Sequence, residues 1–131
     1  MRPLLTLTLL LTTVTLAAQE TTPAPAPQEE KAVSGRELYA ACTQPQQKDG
    51  EGERFCMTFI AGLVQTVTTM QTANGGADKA FCIDMNKVSP EEVRDKAVSW
   101  LGQNTARLDE EAYVLVMEAL NRAYPCGTTN I

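Results

Sequence analysis

An all-α, disulfide-linked four-helix bundle is the fold class this sequence predicts, and three observations predict it. Apolar residues recur at steps of three and four in several stretches, the period of a helix with one buried face. Two of those stretches open with serine followed three residues later by glutamate, the spacing of a capped helix start. Four cysteines in a 131-residue chain with an apolar N-terminus offer two cross-links to a core of modest size.

The chain opens with Arg2, an apolar run from Leu4 to Leu16 broken by threonines, and the small pair Ala17-Ala18. Residues 1–18 are expected to be a secretory signal peptide, because the apolar run is shorter than the roughly 20 residues that span a bilayer. Residues 19–33 hold Pro23, Pro25 and Pro27 among alanines and charges, and are expected to be an extended Pro/Ala-rich linker. The helical domain is expected over residues 34–127, followed by a tail over 128–131.

Ser34-Gly35-Arg36-Glu37 has capping-box spacing, so a short first helix is expected to end near Cys42. Pro45, Gly50 and Gly52 mark a loop. From Glu53 the positions Phe55, Cys56, Phe59, Ile60, Leu63, Val67 and Met70 form a helical stripe about five turns long. The β-branched run Thr66-Val67-Thr68-Thr69 opposes it, at a cost of roughly half a kcal/mol per residue that burial is expected to outweigh. Gly62 inside this helix suggests a close helix crossing, and Asn74-Gly75-Gly76 ends it.

Phe81-Cys82-Ile83 forms a small apolar anchor in an irregular stretch. Ser89 is the next N-cap, Pro90 takes the first helical position, Glu92 completes a second capping box, and Val88 and Val93 sit where a hydrophobic staple would. Val93, Ala97, Trp100 and Leu101 form the buried stripe, and Gly102 is the expected stop. Asp109 is the expected cap of a fourth helix, with Glu110 and Glu111 in its first turn and Tyr113, Val116, Met117, Leu120 and Tyr124 on its buried stripe. Pro125 ends it.

Cys42, Cys56, Cys82 and Cys126 contain no C-x-x-C pair and the chain has no histidine, which favours disulfides over zinc. In an up-and-down bundle the end of the first helix and the start of the second share one pole; the end of the second, the start of the third and the end of the fourth share the other. The predicted pairs are therefore Cys42–Cys56 and Cys82–Cys126, since a Cys56–Cys82 pair has to retrace a helix about 25 Å long.

Absence of histidine also removes Ser-His-Asp and Cys-His nucleophile systems. The carboxylate clusters Glu91, Glu92, Asp95 and Asp109, Glu110, Glu111 are explained by capping and the helix dipole, so the chain is not expected to be an enzyme or to carry a cofactor. A net charge of −5, one unit more negative without Arg2, disfavours nucleic acid as a partner. A protein partner remains, and the polar turn Gly102 to Leu108 is the surface to offer it, with Gln103, Asn104, Thr105 and Arg107 as candidate binding residues.

Taken together, Ser34-Gly35 to Leu38 with Cys42, the run Cys56-Met57-Thr58-Phe59-Ile60-Ala61-Gly62, Phe81-Cys82, Val88-Ser89-Pro90-Glu91-Glu92, Trp100-Leu101 and Ala119 to Cys126 resemble the Rap/Tai family of type VI secretion immunity proteins. The resemblance implies a small helical periplasmic protein, often a homodimer, that binds and occludes a peptidoglycan-cleaving amidase delivered by a neighbouring cell. No binding residue carries over by motif, and the Pro/Ala-rich linker departs from the family pattern. Two other classes fit a small exported helical chain: an acid-stress chaperone of the HdeA-like kind, and a small-molecule carrier.

Overall fold

The computed structural model describes residues 22–26, 30–44, 50–76 and 79–127. The leader expected over residues 1–18 and the tail over 128–131 lie outside them, as does part of the Pro/Ala-rich segment. Residues 22–26 are exposed and carry no helix or strand, and they belong to a unit separate from the one that begins at Lys31. Four helices build that second unit: α1 (Gly35–Thr43), α2 (Glu51–Ala73), α3 (Pro90–Gln103) and α4 (Ala112–Ala123), with a 3-10 turn over Thr105–Arg107. Among the described residues there is no strand, only an isolated antiparallel bridge between Ser34 and Glu111.

The helix starts divide into those written locally and one that is not. At α1 the Ser34 hydroxyl accepts from the Glu37 N–H at 3.2 Å, and the Glu37 carboxylate accepts from the Ser34 N–H at 2.8 Å. At α3 the Ser89 hydroxyl accepts from the Glu92 N–H at 3.1 Å, but no return bond from the Ser89 N–H to the Glu92 side chain forms, so only half of the expected box is present. The expected cap at Asp109 is not formed. Glu111 stands at the cap of α4 without a side-chain bond to the helix backbone, and Asp109 pairs instead with Arg36 at 3.0 Å. Tertiary backbone pairing supplies what a cap would: the Ala112 N–H donates to the Val33 carbonyl at 2.8 Å, and the Gly35 N–H donates to the Glu110 carbonyl at 2.8 Å.

Two glycines exchange the roles expected of them. Gly62 is exposed and a Cβ there would meet nothing within 4 Å, so it marks no crossing. Gly52, expected in a loop, lies in the first turn of α2 against α1, where a Cβ would stand 2.9 Å from the Ala41 carbonyl oxygen. Gly102 does not stop α3, which runs to Gln103; a Cβ at Gly102 would stand 3.0 Å from the Tyr39 hydroxyl. The threonine-rich part of α2 is helical, and the Thr69 and Thr72 hydroxyls donate back to the Gln65 and Thr68 carbonyls at 2.8 and 2.9 Å.

One core joins all four helices through Leu38, Cys56, Ile60, Val64, Phe81, Val93, Ala97, Leu101, Leu108, Leu115, Val116 and Leu120. Each such Leu, Ile or Val contributes roughly 1.5–3 kcal/mol by leaving water. The α4 stripe is Ala112, Leu115, Val116, Ala119 and Leu120, which leaves Tyr113 half exposed rather than buried. On α2 the expected stripe gains Val64 and loses Phe55 and Met70, which are exposed.

Both predicted disulfides are present, Cys42–Cys56 with Cα atoms 5.1 Å apart and Cys82–Cys126 at 4.8 Å. The arrangement is nevertheless not a regular up-and-down bundle. The Ser34–Glu111 bridge holds the start of α1 beside the start of α4, which an up-and-down order would place at opposite poles. The start of α3 meets the first half of α2, where Arg94 reaches Glu53 at 3.7 Å and the Met57 sulfur at 3.6 Å. The chain returns to that point along the last turns of α2. Gln71 holds it there, its amide oxygen accepting from the Ala80 N–H at 2.7 Å and its amide nitrogen donating to the Phe81 carbonyl at 3.1 Å. The Cys82 N–H then donates to the Tyr124 carbonyl at 2.9 Å, which brings the second disulfide into register.

Candidate functional site

The turn between α3 and α4 is fastened from three directions. Asn104 ends α3 with its side-chain amide donating to the Trp100 carbonyl at 2.8 Å, and its own N–H donating to the Leu101 carbonyl at 3.0 Å. Leu108 closes the turn by entering the core at 3% exposure. From the other side the Arg36 N–H donates to the Leu108 carbonyl at 2.7 Å, so the first turn of α1 clamps the segment.

Arg107 is the fourth tie. Its Nε and Nη2 donate to the two Glu110 carboxylate oxygens at 2.8 and 2.9 Å, and its Nη1 donates to Glu118 on α4 at 2.8 Å. The guanidinium carbon stands 5.6 Å from the centroid of the Trp100 ring, within cation–π range. Glu118 also accepts from Arg122 one turn further along α4, at 3.0 Å. Hydrogen bonds from Arg107 hold the Glu110 and Glu118 carboxyls below their ordinary value of 4.5, and the two carboxylates raise Arg107 in turn.

All four candidate residues therefore sit on one braced turn, in two roles. Gln103 and Thr105 are exposed, Gln103 making one bond to the Ser99 hydroxyl at 3.2 Å. Asn104 and Arg107 are half buried, with their polar groups already engaged by Trp100, Glu110 and Glu118. The first pair is available to a partner; the second fixes the shape in which the first is presented. Exposed Tyr113 and Val114, where α4 begins, extend this end of the molecule. A hydrogen bond to Glu111 raises the Tyr113 phenol. Helical spacing from Val116 and Leu120 suggests Tyr113 for the buried stripe, but Ala112, Leu115, Val116 and Ala119 complete a stripe that leaves positions 113 and 114 outside it.

A second surface feature is a groove of about 380 Å³ between α2, Met85 and the start of α3, with Met57, Ile60, Val64, Pro90 and Val93 among its lining residues. No helix among the described residues is long and apolar enough to cross a membrane. A family model for Rap1a immunity proteins matches residues 34–126. A search of curated proteins finds no match.

Proposed function

Because the chain belongs to the Rap1a immunity protein family, we propose that it protects the cell that exports it by binding a peptidoglycan-cleaving amidase and covering that enzyme's cleft with the α3–α4 turn. The family match carries the toxin-binding part of this reading, since it spans every helix and all four cysteines. The turn is favoured as the contact by its build. Four independent ties leave Gln103 and Thr105 little conformational freedom to lose on binding, so less ordering entropy opposes association. The two disulfides and the apolar N-terminal run fit a periplasmic site of action, where both the cross-links and the cell wall are found. In this reading the protein carries out no chemistry of its own. A homodimer that presents two such turns is compatible with it. The comparisons give no support to an acid-stress chaperone.

The test is growth of cells that carry an amidase toxin encoded beside this gene and directed to the periplasm. Co-export of the wild-type chain is expected to restore growth, and the double variant Gln103→Arg with Thr105→Arg to fail while its urea unfolding midpoint is unchanged. Growth arrest despite abundant wild-type protein refutes the immunity reading. Full protection by the double variant refutes the assignment of the turn.

A further inference from the structure

The two disulfides stand in different surroundings. Cys56 is wholly buried in the core with Leu38 and Ile60, and its partner Cys42 is half-buried at the end of α1. Cys82 is exposed and Cys126 half-buried. Cys82 also lines an open depression of about 700 Å³ at the end of α2, together with Gly75, Gly76, Lys79, Ile83 and Asp84; Cys126 does not line it. Lys79 brings positive charge to this depression, its side chain lying over Gly76, where a Cβ would stand 2.9 Å from the Lys79 Cε and 3.6 Å from its Nζ. Asp84, the carboxylate among the described lining residues, is 3.6 Å from the Lys87 ammonium and accepts from the Asn86 N–H at 3.0 Å.

Thiol–disulfide exchange needs an attacking thiolate, access to one sulfur, and a leaving sulfur that can carry negative charge. Cys42–Cys56 meets neither of the last two conditions well. Cys56 cannot be approached, and attack on Cys42 would expel the Cys56 thiolate into apolar core, where no water solvates it. At the other bond a thiolate that enters the depression meets Lys79 and Cys82, and water reaches part of the leaving Cys126. We propose that Cys82–Cys126 is an exchange site for a dithiol reductant, opened by attack on Cys82, while Cys42–Cys56 is a permanent cross-link. The first thiolate of the dithiol bonds to the Cys82 sulfur; the Cys82–Cys126 bond breaks, and its electron pair leaves on Cys126, which takes a proton from water. The second thiolate attacks the reductant's own sulfur in that mixed disulfide. The reductant departs as a cyclic disulfide, Cys82 takes a second proton, and two electrons have passed to the protein. Gln71 still binds the Ala80 N–H and the Phe81 carbonyl in the open state, and the Cys82 N–H still donates to the Tyr124 carbonyl, so the two sulfurs stay close enough to rejoin. This site stands apart from the toxin reading and survives its failure.

Glutathione is the probe, added to the full exported chain with both bonds formed, because a monothiol leaves the first step trapped as a mixed disulfide. Early quenching by alkylation, followed by peptide mass mapping, reads which cysteine has reacted. Cys82 is expected to carry glutathione first, with Cys126 alkylated, and Cys42–Cys56 to open at least about tenfold more slowly. Lys79→Glu is expected to slow attack by this anionic thiol about threefold at low salt, and high salt to erase the difference. Transfer to oxidised glutathione should restore Cys82–Cys126. Glutathione found first on Cys42 or Cys126, or both bonds opening together, overturns the proposal. So do an unchanged rate at low salt in the Lys79→Glu protein, and scrambled pairs on reclosure.

Discussion

Replacing Gly62 and Gly52 by alanine, one at a time, separates a glycine that is merely permitted from one that the fold requires. Gly62 lies in the exposed middle of α2 with no atom within 4 Å of a built Cβ, so alanine there removes backbone freedom from the unfolded chain at no steric cost. The expected gain is about 0.5–1 kcal/mol. Gly52 has the same conformational gain within reach, but its new Cβ would stand 2.9 Å from the Ala41 carbonyl oxygen and 3.5 Å from the Ala41 Cα. The obstacle is backbone, and the Cys42–Cys56 bond ties α1 to α2 one residue beyond it, so neither helix can swing away freely. Overpacking of this kind costs about 1–3 kcal/mol, and the net expected effect is a loss of about 1–2 kcal/mol. In thermal unfolding, 1 kcal/mol moves the midpoint by about 4–8 °C for a domain this small, so the two variants should fall on opposite sides of the wild type. A Gly52→Ala protein as stable as wild type refutes the assignment of the close α1–α2 contact to Gly52, and a Gly62→Ala protein that gains nothing refutes the open surroundings assigned to Gly62.

Three further outcomes follow from the same structure. Removing the helix cap with Ser89→Ala should cost about 1 kcal/mol in urea unfolding, whereas Asp109→Ala should leave the midpoint nearly unchanged because Asp109 caps nothing; a larger loss at Asp109 contradicts the tertiary entry into α4. The Cys82–Cys126 bond closes a longer loop than Cys42–Cys56, with separations of 44 and 14 residues. The chain-entropy account makes replacing the first pair by alanines about 1 kcal/mol costlier than replacing the second, and equal or reversed losses refute that account. Glu37, Glu110 and Glu118 are held below their ordinary 4.5 by hydrogen bonds from Ser34, Arg107 and Arg122. Their folded values lie below the unfolded ones, so the stability they add is complete above the unfolded value and is lost as pH falls from about 4.5 downward. The urea midpoint should therefore hold to about pH 5 and decline below it, less steeply for Glu118→Gln; a midpoint that rises on acidification shows the sign to be wrong.

What the sequence disclosed is what neighbours along the chain decide. Ser34 with Glu37 and Ser89 with Pro90 are complete instructions within four residues, and both helices start where those instructions say. The start of α4 is decided by Val33 and Ser34, nearly eighty residues away, so the local pattern points to Asp109 instead. Glycine is ambiguous for the same reason: Gly52 and Gly62 both interrupt helical sequence, and only the position of Ala41 tells them apart. The disulfide pairing was legible although the up-and-down order behind it does not hold. It depended on which helix ends meet, and the Gln71 clasp that carries the chain back along α2 preserves those meetings. At the α3–α4 turn the four polar residues were visible as a group. The division of labour among them was not, since Arg107 takes its role from Trp100, Glu110 and Glu118 through contacts that spacing does not encode.

The most direct measurement is the rate at which a purified peptidoglycan amidase, encoded beside this gene, releases peptide stems from cell-wall sacculi as the purified chain is titrated in. Cleavage is expected to fall to background near one wild-type chain per enzyme, and to persist when Gln103 and Thr105 are both replaced by arginine. Undiminished cleavage at a large excess of the folded, disulfide-bonded wild-type chain contradicts it.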